Sequence, residues 1–355
     1  MATDLIALTA QIIHIRSESR QEQELVAWLE ADLAGCPWLE LTRVGDNLVA
    51  RTDLGRSQRL ILAGHTDTVP ANGNERARVV GDRLYGLGAT DMKSGLAVML
   101  QAARTIAEPA VDVTYVFYAR EEIESSASGL AELLAERPDL LVGDAALLGE
   151  PTSAAIEAGC QGTMRIRVVL QGARSHTARP WMGRNAVHRL AGILTALADY
   201  DERRPVLDGC EYREALQAVR VEGGVAANVV PDRVELTLNH RFAPDRNGEA
   251  AEAHVRAVLE PWLEPGDEVT VVDLAPGAPP DLDHPLLAAL RTRNDLAVDA
   301  KLGWTDVARF AAHGIPAANF GPGDATIAHT ADEFVERDHL DQVWAAIADL
   351  LRHGS

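Results

Sequence analysis

Apolar positions recur at helical spacing through residues 3–14 and again through 20–34, where Leu25, Val26, Leu29 and Leu33 share a face before Gly35 and Pro37 end it. Short apolar runs follow at 47–52 and 59–63, the second stopped by Gly64, with a brief one at Leu84-Tyr85. A helix is predicted from Met92 to about 106. The run 112–119 (Asp-Val-Thr-Tyr-Val-Phe-Tyr-Ala) is almost continuous in β-branched and aromatic residues, as in a strand covered on both faces. A helix near 127–136 stops at Pro138, and 144–148 is another buried strand. Strands alternating with helices predict an α/β layer built on a mostly parallel sheet.

The pattern then changes. Residues 163–170 alternate (Met164, Ile166, Val168, Leu170) like a strand with one wet face. Beyond it lie a helix at about 185–200, strands at 216–222 and 233–241, a helix at 248–259 and a strand at 268–273. The order β-α-β-β-α-β is that of a ferredoxin-like split motif. After the breaker-rich Pro276-Gly-Ala-Pro-Pro280 the first pattern resumes, with a helix from Pro285, a strand at 317–320 and a last helix at 339–352. The expectation is a catalytic domain from 1–162 and 281–355, with a smaller domain, 163–280, inserted into it. A length of 355 residues agrees with more than one core.

Composition narrows the function. At 47% hydrophobic residues, and with no run of ~18 apolar residues, the chain reads as water-soluble, with no membrane partner. The start, Met-Ala-Thr-Asp, has no basic region of the secretory type. Three cysteines, Cys36, Cys160 and Cys210, lack metal-ligand spacing and suit a reducing compartment, so a cytoplasmic location is expected. A formal charge of -20 argues against nucleic acid as a partner, while suiting a site that gathers carboxylates around cations.

The candidate chemistry lies where predicted strands end, the edge at which loops of open α/β sheets converge. His65 and Asp67 follow the second strand, Glu121 and Glu122 the most buried one, and Glu150 the strand at 144–148. His329 lies in a loop after 317–320. Asp91 sits in Gly86-Leu-Gly-Ala-Thr-Asp-Met-Lys-Ser-Gly95, where a helix begins. A phosphate loop is ruled out there, since Met92 precedes Lys-Ser and Asp91 would repel phosphate; a dinucleotide fingerprint fails because position 91 is not glycine. Each residue alone reads equally well as a surface acid or loop histidine. As a set they read as a two-metal site. Asp91, Glu122 and Glu150 would bring three negative charges to two divalent cations, with His65 and His329 as neutral imidazoles. Asp67 would fix the His65 tautomer, and Glu121 would be left to move a proton.

In order and without gaps, His65-x-Asp67, Gly88-x-x-Asp-Met-Lys93, Glu121-Glu122, Gly149-Glu-Pro-Thr152 and the late His329 resemble the zinc-dependent aminoacylase and carboxypeptidase family with co-catalytic metals. The resemblance implies two Zn2+ (Co2+ or Mn2+ as substitutes), with Asp91 bridging them, often through a cis peptide to Met92. His65 and Glu150 would complete one metal and Glu122 and His329 the other, with Glu121 as the base. It implies a homodimer formed through the inserted domain, and a histidine, here His176, that reaches the neighbouring subunit's site. Arg241, Asn228 and Thr305 are candidates to bind substrate. Tyr118-Ala-Arg-Glu-Glu-Ile-Glu124, Glu157-Ala-Gly-Cys-Gln-Gly-Thr163 and Gly303-Trp-Thr-Asp306 are most similar to members that remove succinate from N-succinyl-LL-2,6-diaminopimelate, a small acidic N-acyl amino acid. Leu302-Gly-Trp-Thr-Asp306 and Cys160-Gln161 depart from the wider pattern, which keeps other N-acyl amino acids such as acetylornithine, or a dipeptide, open as substrates. A non-catalytic binding relative, and an acidic scaffold that assembles through the sheet of its inserted domain, are the remaining alternatives.

Overall fold

In the computed structural model, which describes residues 4–355, the chain divides into two compact units. The first comprises the chain up to Gly159, Pro280–Asp299 and Arg309–Ser355; the second comprises Cys160–Pro279 and Ala300–Ala308. The segment Ala300–Ala308 was expected in the first unit. It groups with the second because the Gln161 N–H donates to the Lys301 carbonyl at 3.1 Å and Cys160 Sγ lies 3.7 Å from the Thr305 carbonyl.

The first unit is built on an eight-stranded sheet. Its order is Glu40–Val44, Asn47–Arg51, Asp112–Tyr118, Arg59–His65, Ala145–Leu148, Ala317–Asn319, Ile156–Ala158 and Val298–Ala300. The four strands from Asp112–Tyr118 to Ala317–Asn319 run parallel, and antiparallel neighbours flank them. Every residue of Asp112–Tyr118 is buried, which explains its nearly continuous run of β-branched and aromatic residues. The helices Leu5–Ile13, Gln23–Leu33, Lys93–Thr105 and Arg337–His353 contribute buried residues to the core shared with this sheet. Each fully buried leucine or valine there contributes ~1.5–3 kcal/mol.

Two glycines set how closely the helix Lys93–Thr105 approaches the sheet. A Cβ on Gly95 would stand 2.2 Å from the Gly149 carbonyl oxygen, and one on Gly64 would stand 2.6 Å from Met92 Cε. A side chain at Gly95 would meet main chain and push the helix off the strand end that leads to Glu150, whereas one at Gly64 would have to displace the Met92 and Leu96 side chains packed behind His65.

The second unit carries a four-stranded antiparallel sheet, ordered Ala215–Gly223, Arg233–Phe242, Gly162–Gln171 and Glu268–Ala275. With the helices Leu190–Ala198 and Gly248–Leu259 it has the β-α-β-β-α-β order read from the alternation. Met164, Ile166, Val168 and Leu170 face a core completed by Leu190, Ile193, Ala251, Val255 and Leu259. Short elements were not anticipated, among them the strands Glu40–Val44, Ile156–Ala158 and Val298–Ala300 and the helix Val307–Ala312. Among the described residues, no helix is long and apolar enough to cross a membrane.

Candidate metal centre

The site forms where the parallel strands end. His65 is the last residue of its strand and is 1% exposed. Its Nδ1 faces Asp67 twice, with the main-chain carbonyl oxygen at 3.1 Å and Oδ1 at 3.5 Å. This leaves Nε2 to point at Asp91, whose Oδ1 lies 3.0 Å away. The Asp91–Met92 peptide is cis, as the resemblance implies.

Asp67 does more than orient a ring. Its Oδ1 accepts the main-chain N–H of Glu121 at 2.9 Å; its Oδ2 accepts that of Glu122 at 3.1 Å and the Ser19 hydroxyl at 2.7 Å. One buried carboxylate thus holds the turn after Asp112–Tyr118 in place, where Arg120 adopts a φ of 62°. On the far side, His329 Nε2 lies 2.9 Å from Glu122 Oε1 and 3.5 Å from Asp91 Oδ2.

Two groupings follow, each with ligand atoms within 4.8 Å of one another: His65, Asp91 and Glu150, and Asp91, Glu122 and His329. Asp91 is common to both and offers a different oxygen to each histidine. Glu121 stands in neither, although its main chain is fixed beside them.

The electrostatics fit a cation. Hydrogen bonds to Asp91 and Glu122 raise His329 to about 10. Burial alone would lower His65, but its contacts with Asp67 and Asp91 outweigh that and lift it well above its usual value. Burial would likewise raise Asp91, yet His329 and His65 hold its carboxyl well below the usual range. The acids therefore create a potential that retains protons on both imidazoles, and a divalent ion would compete for the same nitrogens. One imidazole and two carboxylates per position is a donor set suited to zinc, cobalt or manganese.

A third grouping, Glu214, His240 and His254, lies in the second unit. There Glu214 is already paired with Arg203 and Arg246, each at 3.2 Å, so two cationic side chains answer its charge and leave little to attract a metal.

The remaining candidates also belong to the second unit. The exposed His176 accepts the Ala178 N–H through Nδ1 at 3.0 Å, and the next residue, Thr177, donates its N–H to the Asn228 carbonyl at 3.1 Å. Within that unit His176 and Asn228 are therefore neighbours. Arg241 is half-buried, its pKa lowered by that burial and by Arg165, and no acid pairs with it among the described residues. Thr305 is 3% exposed.

Sequence reasoning missed Ser19 and Glu333. Ser19 carries no local signal, being one polar residue in a polar turn. Glu333 follows His329 by four residues, and its carboxylate accepts main-chain N–H groups from the Asp91 turn.

Residues 61–353 match the model of peptidase family M20/M25/M40. A Mycobacterium tuberculosis protein whose name marks it provisionally as a succinyl-diaminopimelate desuccinylase is 51% identical over 350 residues, covering 98% of this chain and 97% of its own. A Corynebacterium glutamicum succinyl-diaminopimelate desuccinylase is 43% identical over 354 residues, covering 98% and 96%. Among solved structures, a tripeptidase from Staphylococcus aureus superposes with a TM-score of 0.81 at 21% identity, covering 98% of this chain and 97% of its own, a likeness of fold.

Proposed function

The chain belongs to peptidase family M20/M25/M40, and from that premise we propose that it is a two-zinc amide hydrolase releasing succinate from N-succinyl-LL-2,6-diaminopimelate. The observation that carries the reading is the sharing of Asp91 between two sets of donors, with its oxygens 3.0 Å from His65 Nε2 and 3.5 Å from His329 Nε2. His65 and Glu150 would hold one ion, Glu122 and His329 the other, and Asp91 both. Two such ions, when bound, polarise a carbonyl and make water a better nucleophile at neutral pH.

The protein's own part is proton handling and orientation. Asp67 keeps His65 Nδ1 engaged, so that Nε2 is the free donor. Glu121 takes a proton from the attacking water and returns it to the nitrogen that leaves as the C–N bond breaks, which restores the carboxylate. Because Asp67 grips the Glu121 and Glu122 amides together, base and ligand keep a fixed relation.

The substrate carries several carboxylates. Arg241, half-buried and without an acidic partner among the described residues, is the guanidinium assigned to one of them, with Asn228 and Thr305 as further contacts. His176 is assigned to the oxyanion of a neighbouring subunit's substrate. A homodimer is supported by the edge strand Ala215–Gly223, whose outer side has no strand partner among the described residues and whose Val219 and Val221 are 58% and 49% exposed. Three buried cysteines, with no disulfide among the described residues, fit a cytoplasmic enzyme.

Zinc-loaded protein assayed against N-succinyl-LL-2,6-diaminopimelate, acetylornithine and dipeptides tests the assignment. Succinate release should dominate. Turnover of an acetylated amino acid with none of the succinylated substrate would overturn it.

A further inference from the structure

We infer that Glu333 is the positioning residue that sets Asp91 between the two metal positions, an inference that rests on the two-metal reading above. Glu333 is 1% exposed. Its Oε1 accepts the N–H groups of Thr90 at 2.8 Å and Asp91 at 3.0 Å, and its Oε2 accepts that of Gly88 at 3.1 Å. The turn that presents Asp91 is thereby wrapped around a carboxylate, with Gly88 at a φ of 76° closing the cradle.

The main chain of the same segment ties in at two more points. The Gly86 N–H donates to the Glu333 carbonyl at 3.2 Å, and the Thr90 hydroxyl donates to the Phe334 carbonyl at 2.9 Å. Four residues before Glu333 the same stretch carries His329. One acid therefore joins the two loops that supply the shared ligand and the histidine of one metal position.

No arginine, lysine or histidine forms an ion pair with Glu333 among the described residues; main-chain amides supply its hydrogen bonds, with the buried Lys93 attracting it from farther away. A buried acid held in this way is a costly means of closing a turn if stability were its only purpose. Its geometry instead resembles the hydrogen-bonding partners that orient metal ligands, whose loss weakens metal affinity by ~10–100-fold.

The test is stepwise titration of metal-free full-length protein with Co2+, followed by its absorbance, for the wild type, Glu333→Gln and Glu333→Ala. Glutamine keeps one oxygen, enough for the Thr90 and Asp91 amides; alanine keeps none. The expected order of Co2+ affinity is wild type, then glutamine, then alanine. The alanine variant should lie ~10–100-fold below the wild type. Turnover at saturating metal should fall through kcat with KM little changed, and because glutamine leaves the Gly88 N–H without its acceptor, the metal-free melting temperature of Glu333→Gln should fall, but by less than that of Glu333→Ala. Equal Co2+ affinity in all three proteins would overturn the inference and leave the two-metal reading standing. Equal weakening in both variants, with a parallel loss of metal-free melting temperature, would reduce Glu333 to a structural role. A wild type that takes up no Co2+ sinks the two-metal reading and this inference with it.

Discussion

Replacing Asp67 by asparagine probes the site where it is most tightly constrained. The carboxylate uses both oxygens: Oδ1 for the Glu121 amide, Oδ2 for the Glu122 amide and the Ser19 hydroxyl. Asparagine has one oxygen. With that oxygen in the Oδ1 position, its NH2 group confronts the Glu122 N–H, while Ser19 can rotate to accept. The reverse orientation confronts the Glu121 N–H and the His65 side instead. Either way one hydrogen bond to a charged acceptor is lost in a buried place, which costs about 1.5–3 kcal/mol. At 1.4 kcal/mol per factor of ten, that corresponds to a folding constant about 10–100-fold smaller. Because the displaced amide belongs to a proposed base or ligand, metal affinity should fall by ~10–100-fold as well. Denaturant unfolding of the metal-free protein reads the first effect, and metal titration with succinate release reads the second. An Asp67→Asn variant equal to the wild type in both would refute the claim that this carboxylate organises the two acids.

Glu121→Gln should lower turnover by at least ~10²–10⁴-fold while leaving metal content unchanged, checked by assay beside elemental analysis; unchanged biological activity would favour a non-catalytic role. Asp112→Asn should destabilise the fold by about 1.5–3 kcal/mol at neutral pH, since Asp112 accepts from Thr52 Oγ1, Leu54 N and Arg56 N, each at 2.8 Å. Burial alone would raise the Asp112 carboxyl, but these bonds hold it below its usual value, so its contribution is present above the unfolded pKa of about 3.9 and vanishes as pH falls through the folded one. The difference in unfolding free energy between wild type and Asp112→Asn should therefore shrink below about pH 4, and a difference that grew there would contradict the sign.

What the sequence disclosed depended on how local the cause was. The strand Asp112–Tyr118 is buried on both faces, so its composition alone revealed it. The acids and histidines at strand ends were legible because topology brings those ends together whatever the side-chain details. Strands of three residues such as Ile156–Ala158 and Val298–Ala300 owe their existence to neighbours far along the chain and leave no periodicity to read. Ala300–Ala308 joins the second unit through contacts to Cys160 and Gln161, a long-range pairing with no local trace. Glu333 was hidden for a related reason: its partners are main-chain amides some 240 positions away, which have no letter in the sequence. For Asp67 the sequence suggested a hydrogen-bond partner for His65, and its grip on Glu121 and Glu122 emerged only in three dimensions.

The most direct test counts divalent ions in wild-type protein and in Asp91→Ala after dialysis against limiting zinc, with turnover of N-succinyl-LL-2,6-diaminopimelate measured on the same samples. If Asp91 serves both donor groupings, the wild type retains two ions per chain, and the substitution weakens both and abolishes succinate release. A wild type that hydrolyses the substrate with one ion or none, or an Asp91→Ala variant that keeps its metal and its rate, would contradict the account.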